Sequence, residues 1–236
     1  MISSLRKQVR QFLDRLFGDI CRRHDIENLY SQFSALLQVH ALLPSGAILM
    51  PLRKWAISPD ALLHVALAFK SSSPNVIVEF GSGQSTVVLA ALFNAQGKGR
   101  LVSVEHDGDF AETVRAQLKA SGLSEWVELQ VVPLVSVGDE HASQTYDLQS
   151  LRQERVDLVL VDGPPMLLGP LARYAPLEWA VRHVTPLGSI FLDDANRAEE
   201  AAIVKQLLRE NSMLQHETID CEKGLCRFWL DGATSE

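Results

Sequence analysis

From residue 76 onward the chain alternates between short runs of β-forming residues and stretches with helical spacing. That alternation constrains the fold more than any other feature. Val76–Phe80 opens the series, Ser85–Phe93 follows as a helix, and Gly97-Lys98-Gly99 turns the chain. Arg100–His106 reads as the second strand and Phe110–Ser121 as the second helix, with Gly122 at its end. Trp126–Pro133 is the third strand. Val156–Val161 is the fourth, and its near-continuous apolar run is what a strand covered on both faces requires. Leu171–His183 reads as a helix, Ser189–Leu192 as the fifth strand, and Ala195–Glu210 as an amphipathic helix. Leu214–Asp220 and Leu225–Leu230 are close in sequence and are expected to pair antiparallel. The stretch from Ser136 to about Ser150 is polar and without a clear period, so it reads as irregular. Parallel strands joined through helices need right-handed crossovers. The expected fold is α/β: a doubly wound, mostly parallel sheet of seven strands with helices on both faces.

The first seventy residues read as helical and as an extension of the main domain, which gives a division into 1–70 and 71–236. Leu5, Val9, Phe12, Leu16 and Ile20 recur at helical spacing, with Arg6, Arg10, Arg15 and Arg22 between them. Residues 1–24 carry a net +4, so the rest of the chain carries −11 of the total −7. A basic amphipathic helix can lie on an anionic membrane surface, pack on a partner, or cover the main domain. A second helix is expected from about Ile26 to Leu43, broken by Pro44-Ser45-Gly46. Ser58-Pro59-Asp60 is a helix start, with a hydroxyl to cap and proline in the first turn. The apolar helix from Pro59 to about Lys70 is expected to pack on the sheet.

Composition narrows the class. A chain that is 47% apolar and 22% charged is neither disordered nor of low complexity. A net charge of −7 argues against a dedicated nucleic-acid binder, which needs a basic excess against phosphates. Cys21, Cys221 and Cys226 have no CxxC spacing and read as free thiols in a reducing compartment. No apolar run approaches the ~18 residues of a spanning helix, and no secretory signal is evident. A cytoplasmic protein, with homo-oligomerisation open, is the expectation.

The chemistry concentrates at the ends of the strands. Glu79-Phe80-Gly81-Ser82-Gly83-Gln84-Ser85-Thr86 follows the first strand and opens a helix. Gly81 and Gly83 permit a tight turn and close approach of a ligand to the backbone. The helix start behind them offers unpaired N–H groups. Glu105 ends the next strand, about twenty residues after the turn, where a carboxylate can accept both ribose hydroxyls of a nucleoside. A dinucleotide fingerprint wants a third glycine where Thr86 stands, and Glu79 would repel a pyrophosphate. An acid there suits a cationic ligand such as S-adenosylmethionine (SAM), with its sulfonium and amino groups.

These motifs resemble the class I SAM-dependent methyltransferases, over roughly residues 74–230. The resemblance rests on Val76–Gly83, on Val102–His106, on Val156–Pro165 and on Gly188–Asp194, in that order and spacing. Within the class, the Gly-Ser-Gly-x-Ser-Thr turn and the Asp-Gly-Pro-Pro run before Arg173-Tyr174 resemble a bacterial group. The resemblance implies a Rossmann-like methyltransferase fold with its last strand inserted antiparallel. It also implies that Glu79, Gly81, Ser82 and Gly83 hold the methionine part of SAM. Glu105 would bind the ribose and His106 the adenine. Ser85 and Thr86 would donate to the cofactor's carboxylate or cap the helix, and Asp162 would border the cofactor.

Asp162 ends the fourth strand, and Asp193 and Asp194 end the fifth. Ligands of an open parallel sheet gather at that edge. Three uses stay open for these carboxylates: a Mg²⁺ site, general base catalysis by Asp162 or Asp193, or capping of the helix at Ala195–Glu210. The metal-dependent catechol-type O-methyltransferases look similar, with Asp at the fourth strand and Asp-Asn at the fifth. Here the pair is Asp-Asp, and Pro165 stands where that group has a lysine. Arg173 and Arg197 are candidates to grip an anionic substrate or to form salt bridges. Asp162-Gly163-Pro164-Pro165 lacks the aromatic residue of the amino-methylating DNA enzymes, since Met166 follows. His24, His40, His64, His141, His183 and His216 form no metal-ligand spacing. The expected activity is methyl transfer from SAM, most simply to an oxygen of a small molecule or glycan. A NAD(P)-dependent oxidoreductase and a non-enzymatic nucleoside-binding or scaffold protein stand as alternatives.

Overall fold

The computed structural model describes residues 25–44, 49, 52, 55–137, 143–152 and 154–232. The basic stretch at 1–24, with its expected membrane or partner face, and Cys21 lie outside the described residues. Helix α1 covers 25–42, and α2 (Pro59–Ser72) follows it. The alternating region then gives β1 (Val76–Phe80), α3 (Gln84–Gln96), β2 (Arg100–Glu105), α4 (Gly108–Ala120) and β3 (Val127–Val131). Next come β4 (Leu134–Val137), β5 (Ser143–Tyr146), β6 (Val156–Val161), α5 (Tyr174–His183) and β7 (Val184–Asp193). The chain closes with α6 (Ala198–Glu210), β8 (Leu214–Ile219) and β9 (Leu225–Leu230). No helix among the described residues is long and apolar enough to cross a membrane.

Seven strands form one sheet in the order β3-β2-β1-β6-β7-β9-β8. β1 pairs in parallel with β2 on one side and β6 on the other, and β7 continues in parallel from β6. β9 runs antiparallel between β7 and β8. The chain order reverses between β1 and β6, which opens a crevice at their carboxyl ends. This is the Rossmann-like methyltransferase fold, with the closing antiparallel pair as expected.

The sheet has an apolar layer on each face because strand side chains alternate. Ile77, Leu101, Leu158 and Phe191 point to the layer shared with Leu62, Val65 and Phe69 of α2 and Val88 and Leu92 of α3. Val78, Val102, Val159 and Leu192 point the other way, toward Leu177 and Ala180 of α5 and Ile203 and Leu207 of α6. Each fully buried side chain of this size stabilises the fold by about 1.5–3 kcal/mol. The apolar face of α2 thus shares a core with the sheet, and Phe69 packs edge-on against Phe93 at 4.9 Å.

Several boundaries differ from the sequence reading. β7 begins at Val184 rather than Ser189, and α5 begins at Tyr174 rather than Leu171, which has φ +66°. The polar stretch from 136 to 150 contains most of a two-stranded antiparallel sheet, β4 with β5. Ser58 does not cap α2 through its side chain. Instead Asp60 Oδ1 accepts the Ala61 N–H at 2.9 Å.

Candidate active site

The turn after β1 is shaped by contacts that only glycine permits. Gly81 has φ +94°, and its N–H donates to the Val104 carbonyl at 2.8 Å. A Cβ there would lie 2.9 Å from Gly163 N and 3.0 Å from Asp162 C, so the β1 and β6 turns touch backbone to backbone. Gly83 is different. Its φ of 172° is extended backbone, and a Cβ would meet nothing within 4 Å. No neighbour among the described residues requires glycine at 83, so a ligand could approach the backbone beside the α3 start.

Behind the turn, the Glu79 carboxylate is fully buried. Thr86 accepts the Gly83 N–H at 2.8 Å and donates its own proton to Glu79 Oε2 at 2.6 Å. The Ser103 hydroxyl donates to the same oxygen at 2.8 Å, and Ser82 Oγ lies 2.8 Å from Ser103 Oγ. Glu79 Oε1 has no hydrogen-bond partner at normal distance among the described residues, although the Ser85 hydroxyl is close enough to act on the carboxylate. Burial pushes the Glu79 pKa up to about 7, against the hydroxyls of Ser85, Thr86 and Ser103, which favour the charged form.

Glu105, at the end of β2, is engaged by backbone. Oε1 accepts the N–H groups of His106 (2.8 Å) and Asp107 (2.9 Å), and Oε2 accepts that of Ser82 (3.1 Å). His106 Nδ1 lies 2.8 Å from Glu105 Oε1. The His106 ring is 6.2 Å from the ring of Tyr146, whose hydroxyl is buried without a partner beside Gly163.

The second cluster sits at the ends of β6 and β7. One carboxylate oxygen from each of Asp162, Asp193 and Asp194 lies within 4.8 Å of the others. Arg173 penetrates this group. Its Nη2 donates to Asp194 Oδ2 at 3.1 Å, to the Asp162 carbonyl at 2.9 Å and, at 3.5 Å, to Asp162 Oδ1. Its Nη1 donates to the Asp193 carbonyl at 3.0 Å, and its Nε to the Pro164 carbonyl at 3.3 Å. Glu200 Oε1 lies 3.7 Å from Nη1, and Arg197 Nη1 lies 2.8 Å from Asp194 Oδ2. Burial opposes the charge on Arg173, but Asp162, Asp194 and Glu200 outweigh it and raise its pKa. Burial raises Asp162 well above the carboxylate range, with Asp193 adding to the effect. Asp193 is pushed up to about 6 by burial and by Asp194.

A family model described as a methyltransferase domain matches residues 78–195, half of the chain. The chain belongs to this family. Among solved structures, the SAH-bound methyltransferase PaMTH1 of Podospora anserina superposes with a TM-score of 0.58 at 14% identity, over 85% of this chain and 88% of that one. The O-methyltransferase TomG of Streptomyces achromogenes, involved in tomaymycin synthesis and in complex with SAM, gives 0.56 at 18%, over 85% and 89%. An O-methyltransferase of Bacillus cereus in complex with SAH gives 0.55 at 17%, over 84% and 91%. No curated protein matches the sequence.

In this methyltransferase domain, Glu79, Gly81, Ser82, Gly83, Ser85, Thr86, Glu105 and His106 gather around the turn after β1. Asp162, Asp193 and Asp194 gather around Arg173 instead. The capping expectation for Asp193 and Asp194 is corrected: α6 starts at Ala198, its N-cap is Arg197, and Asp194 sits at φ +60° facing two arginines. The substrate-gripping expectation for Arg173 is corrected as well, since it is 4% exposed and its donors serve protein acceptors. Three participants escaped the sequence reading. Tyr146 was concealed in the polar stretch, where three polar residues precede it and no alternation marks the strand. Glu200 looked like one more acid on an amphipathic helix, though it stands three residues after Arg197. Lys223 acts electrostatically on Asp162 and Asp193 from the turn before β9, and nothing local announces it.

Proposed function

We propose that this protein is a SAM-dependent methyltransferase that methylates an oxygen of a small molecule or glycan. The observation that carries the reading is the free space at Gly83 above a buried, half-satisfied acid. Neutral donors hold Glu79 Oε2 without cancelling its charge, and a cation beside this turn would favour the ionised form of a carboxyl whose pKa burial raises to about 7. The chain's own family and the SAM- and SAH-bound proteins that share its fold support the choice of cofactor.

When bound, SAM supplies a methyl group on a positively charged sulfur. Gly81, Ser82 and Gly83, with Ser85 and Thr86 behind them, form the seat for its amino-acid end. Glu105 would hold the ribose hydroxyls and His106 would border the adenine. The acceptor approaches from β6. Asp162 is the carboxylate of the trio nearest solvent, at 12% side-chain exposure against 4% for Asp194. In its ionised form it would be the base that takes the proton of an acceptor hydroxyl as the oxygen attacks. Asp193, buried at the end of β7, adds negative charge beside it, which favours the protonated Asp162 that the transfer produces. Transfer is an in-line displacement, so positioning of donor and acceptor is the protein's main contribution. The first seventy residues are read as a cover for the cofactor domain at 71–236.

Calorimetry with SAH tests the cofactor assignment. The wild-type chain should bind SAH, and Glu105→Ala should weaken binding roughly tenfold or more, the loss of one charged hydrogen-bonding group. Absence of SAH binding to the folded wild-type chain refutes the proposal.

A further inference from the structure

The carboxylates of Asp162, Asp193 and Asp194 have the chemistry of a divalent-cation site: hard oxygens within 4.8 Å of one another at the edge of the sheet. A cation is already among them. The Arg173 guanidinium touches two of the three side chains, at Asp194 Oδ2 and Asp162 Oδ1, and the main-chain carbonyl of the third. We propose that Arg173 is the resident cation of this cluster, and that it replaces a metal ion rather than assisting one.

Three observations carry this. The first is commitment. All three guanidinium nitrogens donate to acceptors on the β6 turn or at the end of β7, so Arg173 clips the two strand ends together as a bridging ion would. The second is burial. Arg173 is 4% exposed, and a guanidinium cannot shed its charge to relieve crowding. A Mg²⁺ ion bonded to Asp194 Oδ2 or Asp162 Oδ1 at ~2.1 Å would lie no more than about 6 Å from Nη2, two cations in a nearly dry space. The third is the second guanidinium. Arg197 reaches the same Asp194 oxygen at 2.8 Å, so that oxygen already serves two cations. Among the described residues, Asp193 Oδ1 and Oδ2 and Asp194 Oδ1 are buried with no hydrogen-bond partner at normal distance. They are the reason the cluster would accept an ion once the guanidinium is gone.

The claim concerns ion binding and does not depend on the transfer reaction, so its failure would leave the proposed function standing. The test is a Mn²⁺ titration of the full chain followed by electron paramagnetic resonance of free Mn²⁺, with thermal melting in Mg²⁺ as a second readout. The wild-type chain should show no bound Mn²⁺ and no shift in Tm. Arg173→Ala should gain one bound ion per chain and a Tm that rises with Mg²⁺, and Asp193→Asn placed in that background should abolish both. Arg173→Lys keeps a cation and should stay without metal. A wild-type chain that binds Mn²⁺, with binding lost in Asp193→Asn, overturns the proposal. So does a folded Arg173→Ala chain that takes up no ion. Should Arg173→Ala fail to fold even with Mn²⁺, the wild-type and Arg173→Lys titrations decide alone.

Discussion

Two groups of buried carboxylates lie at the same edge of the sheet, and they are stabilised in opposite ways. Around β1 and β2, Glu79 and Glu105 are held by hydroxyls and backbone N–H groups. Around β6 and β7, Asp162 and Asp194 are held by guanidinium groups. Neutral donors satisfy a carboxylate without cancelling its charge, whereas a guanidinium does both. The first group therefore keeps a field that attracts a cation from outside. The second has its cation built in. The difference separates a place that receives a charged ligand from a place that needs none.

The largest effect should come from the second group. Arg173→Ala leaves Asp162, Asp194 and Glu200 without their shared partner and should destabilise the fold by about 3–5 kcal/mol, measured by urea unfolding at neutral pH. A loss below about 1 kcal/mol would show that the carboxylates are not held by it.

The next effect belongs to the first group and depends on pH. The folded pKa of Glu79, about 7, lies above the ordinary value of 4.5. Its contribution to stability is complete below that ordinary value and is lost as pH rises through the folded one. Glu79→Gln removes this dependence. The stability of the variant relative to wild type should rise by about 3 kcal/mol between about pH 5 and about pH 8 without cofactor. Parallel unfolding curves at the two pH values would show that Glu79 is solvated.

The smallest effect on stability tests the empty side of the first group. Gly83→Ala places a methyl group where no protein atom lies within 4 Å, on extended backbone, and should change stability by less than about 0.5 kcal/mol. SAH binding should nonetheless weaken. Unaltered affinity would move the cofactor away from this turn.

The sequence was informative where chemistry is local. β1, β6 and β9 begin and end at the residues that the apolar runs indicate, because central strands buried on both faces leave little ambiguity. β7 was truncated because Pro186, Leu187 and Gly188 disguise its first half, where the strand is partly exposed. The glycine turn and Glu105 could be placed because each follows its strand directly. The partners of Arg173 could not. Asp162, Pro164, Asp193, Asp194 and Glu200 stand 9 to 27 residues away on three different elements, and only the crossovers unite them. An arginine after a strand reads equally well as a substrate contact. Its burial, decided by the whole fold, is what assigns it inward.

Asp60, near the start of α2, accepts the side-chain N–H of Gln32 at 2.6 Å and the backbone N–H of Glu222 at 2.8 Å on one oxygen. Lys223 reaches the Ala56 carbonyl at 2.7 Å from the same turn. Asp60 and Glu222 are 162 residues apart. During synthesis, α1 and α2 therefore emerge well before the turn that ties them. The apolar face of α2 can pack on α3, β6 and β7 before β8 and β9 arrive, and the tie at Asp60 forms only afterwards. This places the final docking of the amino-terminal helices late in folding, when nonlocal contacts are made.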